Sequence, residues 1–243
     1  MDGNNKAFVT LLSTENYLPA VVVLARSFKK VKSKYPLLVA ITEELRRPEI
    51  TDILVKEGCM LEVIPHLTYT KNVIDKYEGT HTVLQTAPKI AVFSLCNWDK
   101  LVYIDADVLV TKNIDDLMDR RDGSMVKYPG DDMGFSGLFV FAPRNHSYER
   151  YLALQQNFDG VDGDLLGYLW FYIRSNSEYH IPEEYLISYW EGNACWRAKT
   201  IHYNNEKKPW LHPKSFRRED RSVAMYFEIL DEVWKDYPQI KTC

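Results

Sequence analysis

Long apolar runs are missing from this chain of 243 residues. Nothing approaches the roughly 20 consecutive apolar residues of a membrane-spanning helix, so no membrane association is expected. Positive charge is not in excess either: 30 Lys and Arg face 34 Asp and Glu, for a net charge of −4 and a pI near 5.9. That balance speaks against nucleic-acid or anionic-membrane binding through bulk charge, and any phosphate recognition has to be local. Cysteine is scarce and scattered. Cys59, Cys96, Cys195 and Cys243 have no metal-ligand spacing, and a disulfide framework is not expected. The opening residues, Met1 to Lys6, lack the layout of a signal peptide, which gives a cytoplasmic location as the expectation. Neither G-x-G-x-x-G nor G-x-x-x-x-G-K-S/T occurs, so a glycine loop does not cradle a nucleotide here. Repeats and low-complexity segments are absent as well.

What is present is an ordinary globular balance, 46% hydrophobic and 26% charged, of a length that suits one domain. Ala7 to Leu12 reads as a strand. A helix follows with Pro19 in its first turn and Lys29, Lys30 and Lys32 at its negative end. Leu37 to Ile41 is a second strand, a helix from Pro48 is closed by Gly58, and Met60 to Ile64 is a third strand. This β-α-β-α-β rhythm predicts an α/β fold with a central, mostly parallel sheet flanked by helices. Pro65 to Thr82 reads as a long loop or short helix, and Ala87 to Leu95 as a helix. Brief strands are expected at Met125 to Lys127, Leu138 to Phe141 and Lys199 to His202. Further helices are expected at His146 to Phe158, Asp162 to Ile173 and Ser222 to Lys235.

The most informative stretch is Leu101-Val102-Tyr103-Ile104-Asp105-Ala106-Asp107. An apolar strand ends in two carboxylates separated by one small residue. If the backbone stays extended, Asp105 and Asp107 share a face, with Ala106 keeping the backbone approachable. Two carboxylates that close repel unless a cation lies between them, and a hard divalent ion gripping a diphosphate is the natural occupant. The same tripeptide can also be a solvated acidic strand end, and Asp162-Gly163-Asp164 repeats the pattern elsewhere. Position favours the first copy, because ligands of open α/β sheets collect beyond strand carboxyl ends.

His202 ends a later strand and offers a nitrogen ligand, which with two carboxylates suits manganese better than magnesium. Lys208, ahead of Pro209, offers a point charge for a leaving diphosphate. Both read equally as parts of a solvated basic loop. Asp162 opens a helix, where it is either an N-cap or a carboxylate facing a reacting carbon.

Together these residues resemble glycosyltransferase family 8, the group that contains glycogenin and galactinol synthase. Ala7-Phe8-Val9-Thr10-Leu11 resembles the family's opening strand. By that resemblance Leu11, Ser13 and Tyr17 border the nucleotide, with Tyr17 stacking on uracil, and Lys89 precedes the metal strand. Asp105, Ala106 and Asp107 match the metal motif, followed at the family's distance by Asn113-Ile114-Asp115-Asp116-Leu117. Ser136 and Gly137 match part of N-S-G, and Asp159 and Asp162 match D-G-G-D-Q. His202, Asn205 and Lys208-Pro209-Trp210 fall on H-x-x-G-x-x-K-P-W. The resemblance implies a GT-A fold forming a single domain over residues 1–243. It also implies a UDP-sugar donor and Mn2+ or another divalent cation held by Asp105, Asp107 and His202. The implied reaction is retaining transfer of a hexose, glucose first, to a hydroxyl acceptor, with Asp162 and Lys208 as catalytic groups. That acceptor is a glycan, a polyol or a protein tyrosine, including one of its own near Tyr185 and Tyr189, and homodimerisation is left open.

Three positions depart from the pattern: Phe135 replaces an asparagine, Gly163 a glutamine and Asn205 a glycine. They leave the donor sugar open, and they keep alive a nucleotide-sugar binding protein without activity. A haloacid-dehalogenase-type phosphohydrolase, with Asp105 as nucleophile and Asp131-Asp132 as a magnesium pair, is the other alternative.

Overall fold

The strands that carry the fold are apolar without interruption, which is the pattern of a sheet covered on both faces. In the computed structural model, which describes residues 5–78, 87–127, 134–157, 177–189 and 195–241, β1 (Lys6–Leu12) buries everything after its first residue. β2 (Leu37–Ile41) is buried throughout, and β3 (Met60–Val63) forms the more exposed edge. Two helices connect them, α1 (Leu18–Lys30) and α2 (Pro48–Lys56), each with proline in its first turn. Gly58 ends α2 with φ 76°, a conformation that costs glycine little. Its N–H bonds to Val55 O at 2.8 Å and that of Cys59 to Leu54 O at 3.0 Å, the paired closure of a left-handed helix cap.

β4 (Lys100–Ile104) then joins β1 on the side opposite β2, parallel to it. β6 (Met125–Lys127), β7 (Gly134–Phe141) and β8 (His180–Ile181) complete a seven-stranded sheet in the order β3-β2-β1-β4-β7-β6-β8. Only the pairings of β7 are antiparallel, so the expected mostly parallel sheet is present. Because β2 and β4 flank β1, strand order reverses between β1 and β4, and a crevice opens beyond their carboxyl ends.

Side chains alternate between two cores. Phe8, Leu12, Val102 and Ile104 pack with α1 and with α5 (Arg221–Asp236) on one face. Ala7, Val9, Leu101 and Tyr103 pack on the other with the segment Ala87–Ser94, whose neighbour is α4 (Asn145–Asn157). Ala87–Ser94 is a 3-10 helix, not the expected α-helix. Ser94 Oγ donates to Ala91 O at 2.7 Å and Leu95 N to Val92 O at 3.2 Å, so three-residue bonds occupy the carbonyls an α-turn needs. A short α3 (Lys71–Lys76) stands within the stretch read as loop or short helix. The expected helix Asp162 to Ile173 lies outside the described residues.

A second sheet was not foreseen. β5 (Val108–Val110) pairs antiparallel with β10 (Thr200–His202), and β9 (Ile187–Ser188) pairs parallel on β10's other side. The register sets His202 opposite Val108.

The back of the molecule is tied by Glu57, buried where α2 ends. It accepts from Arg26 at 2.7 Å, Lys29 at 3.0 Å and Tyr237 Oη at 2.9 Å. Burial alone raises its pKa, but these donors, Arg26 foremost, more than reverse that and hold it below the ordinary 4.5. A depressed carboxylate contributes stability that is complete above the unfolded pKa and is lost as pH falls through the folded one. Glu57→Gln is therefore expected to cost about 2 kcal/mol at pH 7, since half-exposed Lys29 is partly screened. In urea melts the gap between variant and wild type shrinks below about pH 4.5.

Candidate active site

Asp105, Ala106 and Asp107 form a turn between β4 and β5 at the mouth of the crevice. The two carboxylates are thus not brought together by strand alternation, as the extended reading required. A tight turn aims them, and the second sheet supplies the third member. His202 Nε2 lies 3.0 Å from Asp107 Oδ1 and 3.6 Å from Asp105 Oδ2.

Each carboxylate has its own lysine. Lys89 Nζ, nearly buried, is 2.9 Å from Asp105 Oδ1, which also accepts from Tyr103 Oη at 2.8 Å. The same ammonium stands 5.0 Å from the Tyr103 ring centroid and 3.4 Å from Ser136 O. Lys208 Nζ donates to Asp107 Oδ2 at 2.6 Å and to Tyr203 O at 3.0 Å. Burial alone would push the Asp107 pKa up; Lys208 and then His202 overcome it and hold the carboxyl ionised far below the usual range.

The backbone is held as firmly. Asp105 N donates to Gly137 O at 3.0 Å and Tyr203 N to Asp107 O at 2.9 Å. Lys208 is positioned by Trp210, which is fully buried and donates from Nε1 to Asn16 O at 2.8 Å. This fastens the late loop to the turn after β1.

A divalent cation fits this geometry. One ligand atom from each of Asp105, Asp107 and His202 falls within 4.8 Å of the others. Two carboxylate oxygens and an imidazole nitrogen form a hard to borderline donor set. Gly137 leaves the room they need: a Cβ there would come 3.0 Å from His202 Cε1 and 3.1 Å from Asp105 Oδ2. His202 Nδ1 is buried without a hydrogen-bond partner among the described residues, so no second hydrogen bond there fixes the ring.

The other expected site residues are distributed unevenly. Leu11 is buried at the end of β1, and Ala106 is nearly buried in the metal turn. Ser13 lines a cavity of about 300 Å³ with Thr14, His66, Leu67, Thr68, Tyr69, Ile74 and Pro88. Tyr17 is not among these lining residues. Its ring meets Trp210 edge-on at 5.0 Å, and burial, with the charges of Asp107 and Asp105, pushes its phenol above the ordinary range. Asn205 donates from Nδ2 to Tyr189 Oη at 2.7 Å. Tyr185, considered as a self-acceptor, is buried, its hydroxyl shared with Asp116 and Lys199. Asn113 and Asp115 cap a structural corner, Asp115 accepting from Ser33 Oγ at 2.7 Å and Lys34 N at 2.9 Å. Asp159 and Asp162 lie outside the described residues, as do Gly163 and the Asp131-Asp132 pair.

The sequence reading missed Tyr103 and the cavity wall from His66 to Tyr69. Tyr103 was legible, since a polar-tipped aromatic stands two residues before Asp105 in an otherwise aliphatic strand. The cavity wall came from a stretch with no period to read.

A mostly parallel α/β sheet flanked by helices in this order is the fold of GT-A glycosyltransferases, and solved structures agree. The galactosyltransferase LgtC, crystallised with donor and acceptor sugar analogues, superposes with a TM-score of 0.60 at 15% identity, over 95% of this chain and 99% of its own. GlyE of Streptococcus pneumoniae gives 0.62 at 15% identity, over 97% of this chain and 65% of its own. At the level of sequence, rabbit (Oryctolagus cuniculus) glycogenin-1 is 30% identical over 257 residues, spanning 96% of this chain and 75% of that protein. Galactinol synthase 5 of Arabidopsis thaliana is 26% identical over 284 residues, spanning 97% and 84%. The model of glycosyl transferase family 8 matches residues 8–157, and the chain belongs to that family of glycosyltransferases. Among the described residues no helix is long and apolar enough to cross a membrane.

Gly137→Ala tests the fit of the cluster. The added methyl presses on His202, Asp105 and Leu186, so Mn2+ affinity measured by calorimetry in the presence of UDP is expected to fall about 10- to 100-fold, beside an overpacking cost to stability of about 1–3 kcal/mol.

Proposed function

We propose that this protein is a retaining hexosyltransferase that uses a UDP-sugar, glucose first, and Mn2+ held by Asp105, Asp107 and His202. The observation that carries the reading is the convergence of His202 with Asp105 and Asp107, which precede it in sequence by about a hundred residues, within reach of one ion. When bound, the cation would supply a Lewis acid that neutralises charge developing on the departing UDP.

The remaining chemistry belongs to the chain. Lys208, whose ammonium stands 2.6 Å from Asp107 Oδ2, would add a fixed positive charge beside a bound diphosphate and so stabilise the leaving group electrostatically. Lys89 orients Asp105, with Tyr103 as its second anchor. The cavity beside Ser13, apolar and bounded by Tyr69 and Pro88, is the place for the base. Leu11 and Tyr17 support that end of the site from β1 and α1. By the family resemblance Ser136, Gly137, Asn205 and Asp159 are assigned to the donor, and Asp162 joins Lys208 as a catalytic group. The acceptor is a separate hydroxyl, on a glycan, a polyol or a protein. A single domain and a cytoplasmic setting are part of the same proposal.

The phosphohydrolase alternative has no support left: it gives His202 and Lys208 no work, whereas both engage Asp107. Binding without activity is separated by experiment. UDP release is measured with UDP-glucose, UDP-galactose, UDP-N-acetylglucosamine and UDP-glucuronate, with and without Mn2+. At least one donor is expected to release UDP with Mn2+ only. Asp107→Asn is expected to lose about 100-fold or more, equivalent to ~3 kcal/mol, with its circular dichroism unchanged. Full release by that variant in the presence of a chelator would refute the assignment.

A further inference from the structure

β7 passes the metal cluster along Gly134-Phe135-Ser136-Gly137, and its composition there is uneven. Gly137 presents no side chain to His202 and Asp105. Phe135 presents an aromatic ring, whose centroid lies 5.3 Å from that of the His202 imidazole with 39° between the planes. The ring is half-buried: part packs on the core beside α1 and α5, and part remains exposed. Among the described residues, therefore, the Asp105-Asp107-His202 cluster is bordered on this side by the Phe135 ring.

That wall has a consequence for the donor, taken on the UDP-sugar reading given above. In a UDP-sugar the sugar is bonded directly to the second phosphate, so a diphosphate gripped at the cluster holds the sugar ring against the neighbouring wall. A hydroxyl pressed onto Phe135 gives up water and receives no hydrogen bond in return. A C–H edge loses nothing there and gains contact with the ring.

We propose that Phe135 is a specificity-determining residue, which disfavours a hydroxyl on the sugar edge facing β7 and so admits donors lacking one, such as a deoxyhexose or a pentose. Glucose still binds, but it suffers at one hydroxyl a penalty that the matching deoxy analogue escapes. An apolar wall rejects an added hydroxyl only moderately, so the discrimination is about tenfold and no more than about a hundredfold.

The test is calorimetry with Mn2+ on the full chain, using UDP, UDP-glucose, UDP-xylose and the four monodeoxy analogues of UDP-glucose. In the wild type at least one donor lacking a hydroxyl is expected to bind as tightly as UDP-glucose or more tightly. Phe135→Asn is expected to move that ratio about tenfold toward UDP-glucose, and Phe135→Leu to keep the wild-type ratio, while UDP alone binds all three proteins equally. A wild type that prefers UDP-glucose about tenfold over every analogue overturns the proposal without recourse to any variant. So does an unchanged ratio in Phe135→Asn. If UDP itself shows no Mn2+-assisted binding, the donor reading falls, and the inference falls with it.

Discussion

Asp107 is the point at which two distant parts of the chain are held together. One oxygen of its carboxylate meets His202 at 3.0 Å and the other meets Lys208 at 2.6 Å, in a nearly buried setting. An unpaired carboxylate in that position would be costly, and removing either partner leaves the rest uncompensated. The constraint reaches backward into the fold. For His202 to arrive, β10 must pair with β5 in a register that sets it opposite Val108. For Lys208 to arrive, Trp210 must seat itself against Asn16, which brings the late loop over the start of α1. The second sheet and the buried indole are thus structural devices whose product is a pair of distances.

Much of this was legible in sequence. β2 was read with its observed limits, and β1, β3 and α2 to within about two residues, because uninterrupted β-prone runs bounded by Pro and Gly leave few alternatives. The pairing of Asp105 and Asp107 with His202 was legible through motif order. The reason first given for the aspartate pair was wrong: a pleated strand was assumed, where the chain makes a turn. Short strands such as β5 and β9 have too few residues for a period, and their existence depends on β10 pairing with both, a long-range fact. The 3-10 helix at Ala87–Ser94 was hidden for another reason. An apolar octet reads as an α-helix until Ser94 takes the Ala91 carbonyl.

The aromatic residues of the site divide between scaffold and surface in a way composition alone does not reveal. Trp210, Tyr203 and Tyr226 are fully buried and stack or meet edge-on in succession. Tyr103 is nearly buried too, yet its hydroxyl works at Asp105. Phe135 and Tyr17 remain half-exposed at the crevice. The family resemblance assigns Tyr17 to a base; Trp210 meets its ring edge-on, and the cavity beside Ser13 has Tyr69 in its wall. Motif position locates such residues; only packing tells which face of each ring is left for a ligand.

Charge balance explains why the cluster carries two lysines as well as two aspartates. Asp105 and Lys89 cancel, Asp107 and Lys208 cancel, and both lysines are nearly buried with little water to share the load. A divalent cation added alone would leave two positive charges in this nearly buried setting. A diphosphate diester added alone would leave two negative ones. Each is costly in a medium of low polarisability. Added together they cancel, so on the proposed function the protein groups would favour the ion and the nucleotide as a pair over either one singly. The coupling needs no conformational change. It follows from four charges, three of them buried, that already sum to nothing, and on the proposed function it would make the site a receptor for a metal-diphosphate complex instead of for a metal.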